Sequence, residues 1–286
     1  MHKPLSMLFA DAESSYEDAD YVVFGAPFDK TSSFRCGSAK APEAIRNESY
    51  NFETYNPHTG IDLANLKIHD ALDINTGGTV HSALSSVESV VTRCAADGKI
   101  PIMLGGEHSL TLPAAKQCKP CGIIIIDAHF DLRSEYEGEK YSHACITRRL
   151  FEDVTDNIVQ IGIRSGTKEE YAFAEQHGLS YLSADDVFEK GIDYVIKEVE
   201  KCTGHDKVYI SLDMDAIDPA YAPGIGTPEP FGLTPRDVRE VLWRFAGSCI
   251  GFDIVEIVPE IDINTASLGA KLVREFIASN AQKTTR

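Results

Sequence analysis

The sequence predicts an α/β protein built on a parallel sheet covered by helices on both faces. Short apolar runs alternate with helix-length amphipathic stretches almost from end to end, as repeated strand–helix–strand units require. One run, Gly122-Ile-Ile-Ile-Ile126, is apolar at consecutive positions, which suits a strand with no wet face. Polar clusters follow several of the runs, and in open α/β sheets ligands bind beyond the carboxyl ends of the strands.

Candidate strands lie at residues 21–25, 67–71, 100–104, 122–126, 158–162, 179–181, 207–212 and 250–255. Helical patterns fall between them, notably at 80–96, 184–200, 235–245 and 266–278. Ser183, followed by Ala-Asp-Asp, places an N-cap oxygen and early acids at the positive end of the second of these. Thr234-Pro235 places a cap and an N1 proline, whose missing N–H loses no helical bond, ahead of the third. No repeat, low-complexity tract or linker divides the chain, so residues 1–286 are expected to form a single domain with loop excursions at 30–60, 131–142 and 213–234.

With 43% hydrophobic residues the 286-residue chain has ample material for a core. Its 44 acids against 27 bases give a net charge of -17, which disfavours nucleic acid and permits steering of cationic ligands to a negative cleft. No apolar run approaches the roughly 18–20 residues needed to span a bilayer, so no membrane is expected. The opening Met1-His-Lys-Pro4 lacks the apolar stretch of a secretory signal, and a cytoplasmic location is expected. Seven scattered cysteines argue against a disulfide framework. Cys118-Lys-Pro-Cys121 has the spacing of a zinc knuckle but no second pair, and is read as incidental.

Four clusters follow strands. In Asp127-Ala-His129-Phe-Asp131, alternate residues of an extended segment point the same way, so three polar heads converge. Burying two acids beside a histidine is costly unless a cation joins them. Asp213-Met-Asp215 repeats that alternation, while Asp218 before Pro219 reads as a turn residue. In Gly105-Gly-Glu-His-Ser109 the glycines allow a tight turn into Glu107 and His108, with Ser109 placed to cap the next helix. Glu256 of Asp253-Ile-Val-Glu256 lies just past an apolar strand. His108, Asp127, His129, Asp131, Asp213 and Asp215 together supply four carboxylates and two imidazoles. A single zinc takes three or four ligands, commonly including Cys. Six of this kind suit two metals sharing carboxylates, and the oxygen-rich set favours Mn2+. Such a pair lowers the pKa of bound water and orients it, so metal-assisted hydrolysis is the reaction class implied.

These motifs, with Ser211-Leu-Asp-Met-Asp-Ala-Ile-Asp-Pro219, resemble those of the ureohydrolase family, the arginases, agmatinases and related guanidino-group hydrolases. The resemblance runs over nearly the whole chain and is strongest to archaeal-type agmatinases. It implies a three-layer α/β/α sandwich around a central eight-stranded parallel sheet, and two Mn2+ per subunit. One ion would be held by His108, Asp127, Asp131 and Asp213, the other by Asp127, His129, Asp213 and Asp215, with Asp127 and Asp213 bridging. The resemblance also places the guanidinium-binding acid at Glu256, the proton-shuttling histidine at His143, and Thr227 and Ser165 beside the substrate. A carboxylate grips a planar guanidinium through paired charge-assisted hydrogen bonds. Attack by a bridging hydroxide then gives urea and an amine that needs a proton, which a histidine can deliver. A homo-oligomer, trimer or hexamer, is implied too.

The compact loop from Arg133 to His143 resembles agmatinases, and Arg164-Ser165-Gly166 stands where arginases place an aspartate for the α-amino group. Agmatine, a small cationic guanidino compound, is therefore the expected substrate, with aminopropylagmatine, arginine and guanidinobutyrate as alternatives. An inactive metal-binding regulator of the polyamine pathway is the reading from a different class. Glu135, Glu137 and Glu139 are expected to form an acidic rim suited to a second positive charge. Three departures from the family pattern stand out: Glu107 for Asp, Cys36 with Ala39-Lys-Ala41 in an N-terminal motif, and Phe231 for glycine, expected to reshape a turn or narrow the entrance.

Overall fold

The computed structural model describes residues 7–204 and 207–284, so residues 1–4, where a secretory signal would begin, lie outside the described residues. Its strands are β1 (Tyr21–Ala26), β2 (Tyr55–Asn56), β3 (Ile61–Asp62), β4 (Ile68–Asp73), β5 (Ile100–Gly105), β6 (Gly122–Ile126), β7 (Ile158–Ile163), β8 (Ser180–Ser183), β9 (Val208–Asp213) and β10 (Cys249–Val255). Eight of them form one sheet in the order β4-β1-β5-β10-β9-β6-β7-β8, with every neighbouring pair parallel. β2 and β3 pair separately as a short antiparallel hairpin. All eight expected strands are present, each end within two residues of its expected position.

The helices are α1 (Ala41–Ser49), α2 (Val80–Ala96), α3 (Thr111–Cys118), α4 (Ile146–Asp153), α5 (Lys168–His177), α6 (Ala184–Lys190), α7 (Ile192–Thr203), α8 (Pro235–Phe245) and α9 (Ile263–Thr284). The consecutive isoleucines of β6 divide between two cores. Ile124 and Ile126 pack in one cluster with Ile45 of α1, Val199 of α7, Val241 of α8 and Phe276 of α9. Ile123 and Ile125 pack in the other with Val87 of α2, Ala115 of α3, Leu150 of α4 and Ala174 of α5. This is the three-layer α/β/α sandwich. All four isoleucines are fully buried, each contributing about 1.5–3 kcal/mol, which makes β6 a rigid mount for the polar residues beyond its carboxyl end.

Some local expectations are corrected. The pattern at 184–200 is two helices, broken at Gly191, whose φ of +81° is open to glycine. Ser183 and Thr234 do cap their helices, each in a reciprocal capping box with Asp186 or Asp237. Ser109 caps nothing: its Oγ donates to Glu107 Oε1 at 2.6 Å. The excursion at 30–60 contains α1 and the β2–β3 hairpin. α3 and α5, of eight and ten residues, span two to three turns and show only a weak apolar period. Among the described residues no helix is long and apolar enough to cross a membrane.

Phe231 is 86% exposed and narrows nothing, but its φ of +67° places a non-glycine residue in the left-handed region. That conformation costs roughly 1–2 kcal/mol. Phe231→Gly is expected to raise stability by about 0.5–1 kcal/mol after the entropy glycine adds to the unfolded chain. Thermal unfolding checks it, and a lowered Tm would show that the ring makes contacts outweighing the strain.

Candidate active site and metal centre

The four strands at the centre of the sheet, β5, β10, β9 and β6, are neighbours, and the polar clusters of the sequence lie at their carboxyl ends. Asp127 continues the ladder beyond β6, its N–H donating to Ile161 O at 2.9 Å, so its carboxylate has a fixed base. Convergence of the other acids does not come from continued extension. Asp131 turns back through a left-handed backbone, φ +51°, and Asp215 sits in the 3-10 turn Met214–Ala216. Buried Glu170 holds the Asp131 turn, accepting Leu132 N–H at 2.9 Å and Thr167 N–H at 2.8 Å. His108 opens a 3-10 turn behind Gly106, where a Cβ would lie 2.0 Å from Phe28 O, so only glycine fits. Glu256, also left-handed at φ +65°, donates its N–H to Gly106 O and accepts His108 N–H at Oε1, both at 2.8 Å.

The six expected ligands come together. His108 Nδ1 lies 3.3 Å from Asp127 Oδ2, 3.4 Å from Asp131 Oδ2 and 3.2 Å from Asp213 Oδ2. His129 Nδ1 lies 3.0 Å from Asp215 Oδ2 and 3.7 Å from Asp127 Oδ1. Asp127 thus turns one oxygen to each imidazole, and two metal-competent groups, His108–Asp127–Asp131 and Asp127–His129–Asp215, share it. Asp213 faces the first group through Oδ2, while its Oδ1 accepts Asp215 N–H at 2.8 Å.

A cation fits these donors. His108 Nδ1 and Asp127 Oδ2 are buried without a hydrogen-bond partner, a costly arrangement unless an ion takes both lone pairs. The tautomer agrees. Ser211 Oγ donates to Asp253 Oδ1 at 2.7 Å, so its oxygen is left to accept His108 Nε2–H across 3.0 Å, leaving the Nδ1 lone pair beside the carboxylates free for a cation. Burial and the charge of Asp127 push Asp131 up to about 7, and burial pushes Asp213 well above the usual carboxylate range. At Asp127 burial acts the same way, but the two imidazoles outweigh it and hold the group low. Nearby carboxylates outweigh burial at His108 and His129 and raise both. So negative a dry site asks for positive charge, and hard dications match its oxygen-rich donors.

A cavity of about 310 Å³ opens above these groups, and His129, Asp215, Glu256, His143, Thr227 and Ser165 all line it. The hydroxyls of the last two are committed to acids: Thr227 Oγ1 donates to Asp215 Oδ2 and Ser165 Oγ to Glu229 Oε1, each at 2.9 Å. Glu229 Oε1 also lies 3.7 Å from His129 Nε2. Neither Glu229 nor the buried Asp253 was expected to serve the site; an acid two residues past Thr227 and one inside an apolar strand were the available signals. Arg164 clamps this wall, its Nη2 donating to Asp215 O and Glu229 O, both at 2.7 Å. Burial, then the charge of His108, lowers His143 to about 4, and burial, then Glu107, raises Glu256 to about 8.

The expected acidic rim is absent from this cavity. Tyr136 and Glu139 exchange backbone hydrogen bonds of 3.0 and 2.9 Å in a tight turn, and Arg133, Tyr136 and Glu170, not Glu135, Glu137 or Glu139, line the wall. Cys36 is exposed and outside the lining, although Ser33 on the same loop belongs to it. Asp218 is a turn residue, accepting Ala220 N–H and Gly232 N–H at 2.8 and 2.9 Å. Neither metal-competent group contains a cysteine; Cys118 ends α3 and Cys121 is exposed.

Fold and site together define an α/β protein with a candidate two-cation centre at the ends of its central strands. A model of the arginase family matches residues 19–278. The chain belongs to the arginase family and is an enzyme of the ureohydrolase kind. It is 38% identical over 272 residues to the agmatinase of Pyrococcus horikoshii, covering 93% of this chain and 94% of that protein. It is 36% identical over 278 residues to the N(1)-aminopropylagmatine ureohydrolase of Thermococcus kodakarensis, covering 93% and 92%. The crystal structure of the agmatine ureohydrolase of Thermoplasma volcanium matches with a TM-score of 0.93 and 47% identity, over 99% of this chain and 97% of that one.

Proposed function

We propose that the protein hydrolyses agmatine to putrescine and urea with two Mn2+ bound. The observation that carries this reading is buried Asp127, whose two oxygens face different imidazoles, one of which, His129, lines a cavity together with Glu256 and His143. One ion would be held by His108, Asp127, Asp131 and Asp213, the other by Asp127, His129, Asp213 and Asp215. When bound, the pair supplies a water of lowered pKa as nucleophile.

The chain's own residues do the rest. Glu256 Oε1 is engaged by the His108 N–H, which leaves Oε2, beside Gly226, for the guanidinium. Thr227 keeps Asp215 oriented, and Ser165 with Glu229 steadies the outer side of His129. His143, held neutral by its lowered pKa, would take up the proton that the nucleophilic water loses and pass it from Nε2, which Ser33 Oγ holds at 3.1 Å, to the amine as the bond between the guanidino carbon and the alkyl nitrogen breaks. Agmatine is supported by the agmatine-hydrolysing relatives and by Arg164-Ser165-Gly166 in place of an α-amino-binding acid. Aminopropylagmatine is the second reading, favoured by the Thermococcus relative.

The same reading takes the chain as a single ureohydrolase domain acting as a homo-oligomer, trimeric or hexameric by family resemblance. Its free cysteines suit a reducing cytoplasm. Urea release by the Mn2+-loaded protein from agmatine, aminopropylagmatine, arginine and guanidinobutyrate tests the assignment. Agmatine is expected to lead in kcat/KM by about tenfold or more, the size of one good polar discrimination. Preference for arginine overturns it, and no urea from any of the four favours the metal-binding regulator.

A further inference from the structure

His143 opens a short 3-10 turn, His143–Cys145, so no long helix fixes its direction. What holds it is the loop after β1. His143 N–H donates to Thr31 Oγ1 at 3.1 Å, and two residues on, Ser33 Oγ lies 3.1 Å from His143 Nε2. Thr31 is itself gripped by Glu107, which is fully buried: Thr31 N–H donates to Oε2 at 2.7 Å and Thr31 Oγ1 to Oε1 at 2.5 Å. An ionised carboxylate only accepts, so the threonine proton is committed to Glu107 and its lone pair is left for the His143 N–H. Glu107 N–H donates to Phe28 O at 2.8 Å, fixing the same loop from a second point.

We infer that Thr31, held by buried Glu107, is a positioning residue for His143. It sets where the imidazole can reach the leaving nitrogen, without touching substrate. The inference rests on the proton-donor reading of His143. Glu107, which departs from the family pattern in length, is on this account the anchor of the loop rather than a neutral change. Thr31 bonds to none of the six candidate metal ligands, so its hydroxyl bears on turnover and not on metal binding.

A double-mutant cycle in the Mn2+-loaded full chain tests this, with metal content measured for each variant. Thr31→Val is expected to lower kcat for agmatine about 10- to 30-fold, below the roughly 100-fold that a large misplacement can cause, with KM within about twofold and metal content unchanged. Thr31→Ser, which restores the hydroxyl, is expected to recover most of that loss. In a His143→Ala background, Thr31→Val is expected to lower kcat no further. An equal loss in both backgrounds, or loss of metal, overturns the inference, since Thr31 would then act on the fold or the centre. Undiminished kcat in His143→Ala alone overturns the proton-donor role itself, a separate failure. Should Thr31→Val not fold, Thr31→Ala completes the same cycle.

Discussion

Asp127→Ala is expected to remove both metal ions, not one. Asp127 is fully buried and belongs to both metal-competent groups, offering Oδ2 to one and Oδ1 to the other. The remaining acids cannot replace it, because Asp131 is fixed by its turn on the His108 side, Asp215 faces His129, and Asp213 turns Oδ2 to His108 while its Oδ1 accepts the Asp215 N–H. Elemental analysis of the dialysed variant is expected to give metal at background, and kcat/KM to fall by at least about 10³-fold as the activated water is lost. Calorimetry adds an independent reading. An ion that binds only the folded state at about 100 times its Kd stabilises by about 2.7 kcal/mol, so Mn2+ is expected to raise the Tm of the parent protein and leave that of Asp127→Ala unmoved. Full metal stoichiometry in the variant would contradict the shared-ligand geometry.

Glu256→Gln is expected to separate substrate binding from the metal centre. The amide keeps an oxygen that can accept the His108 N–H, as Oε1 does at 2.8 Å, so the turn carrying His108 stays braced. Pairing with a cationic guanidinium favours ionisation of the raised Glu256 carboxyl, and the amide cannot ionise, so what the variant loses is that negative charge. Hydrogen bonds to charged groups contribute about 1.5–3 kcal/mol each, so losing the charge at the one oxygen left for the guanidinium is expected to lower kcat/KM for agmatine about 10- to 150-fold. Metal content is expected to match the parent. Steady-state kinetics decides, and unchanged kcat/KM would assign the guanidinium to another acid.

The candidate ligands were legible because Asp and His at the ends of all-apolar runs contradict burial unless chemistry requires them. The strand order was not. His108, Asp127, Asp213 and Glu256 are far apart in sequence, and they meet because β5, β10, β9 and β6 are neighbours, a fact of tertiary packing that no local pattern carries. Asp131 and Asp215 reach the cluster by a route other than the expected one. Alternation in an extended segment was expected, and a left-handed turn and a 3-10 turn did the work. The glutamates of 135–139 do not line the cavity, because charge is visible in sequence while the path of a tight turn is not. Thr227 and Ser165 do reach the cavity, yet only coordinates could show that their protons go to Asp215 and Glu229. Gly191, by contrast, was a visible break inside the pattern at 184–200.

The left-handed backbones of Asp131 and Glu256, at φ +51° and +65°, set folding and chemistry against each other at single residues. Glycine at either position would relax the turn and remove a buried acid, and at Glu256 it would also unpair the His108 N–H. It would also delete the carboxylate that each turn exists to aim. Backbone comfort and the proposed chemistry thus make opposite demands on the same two residues.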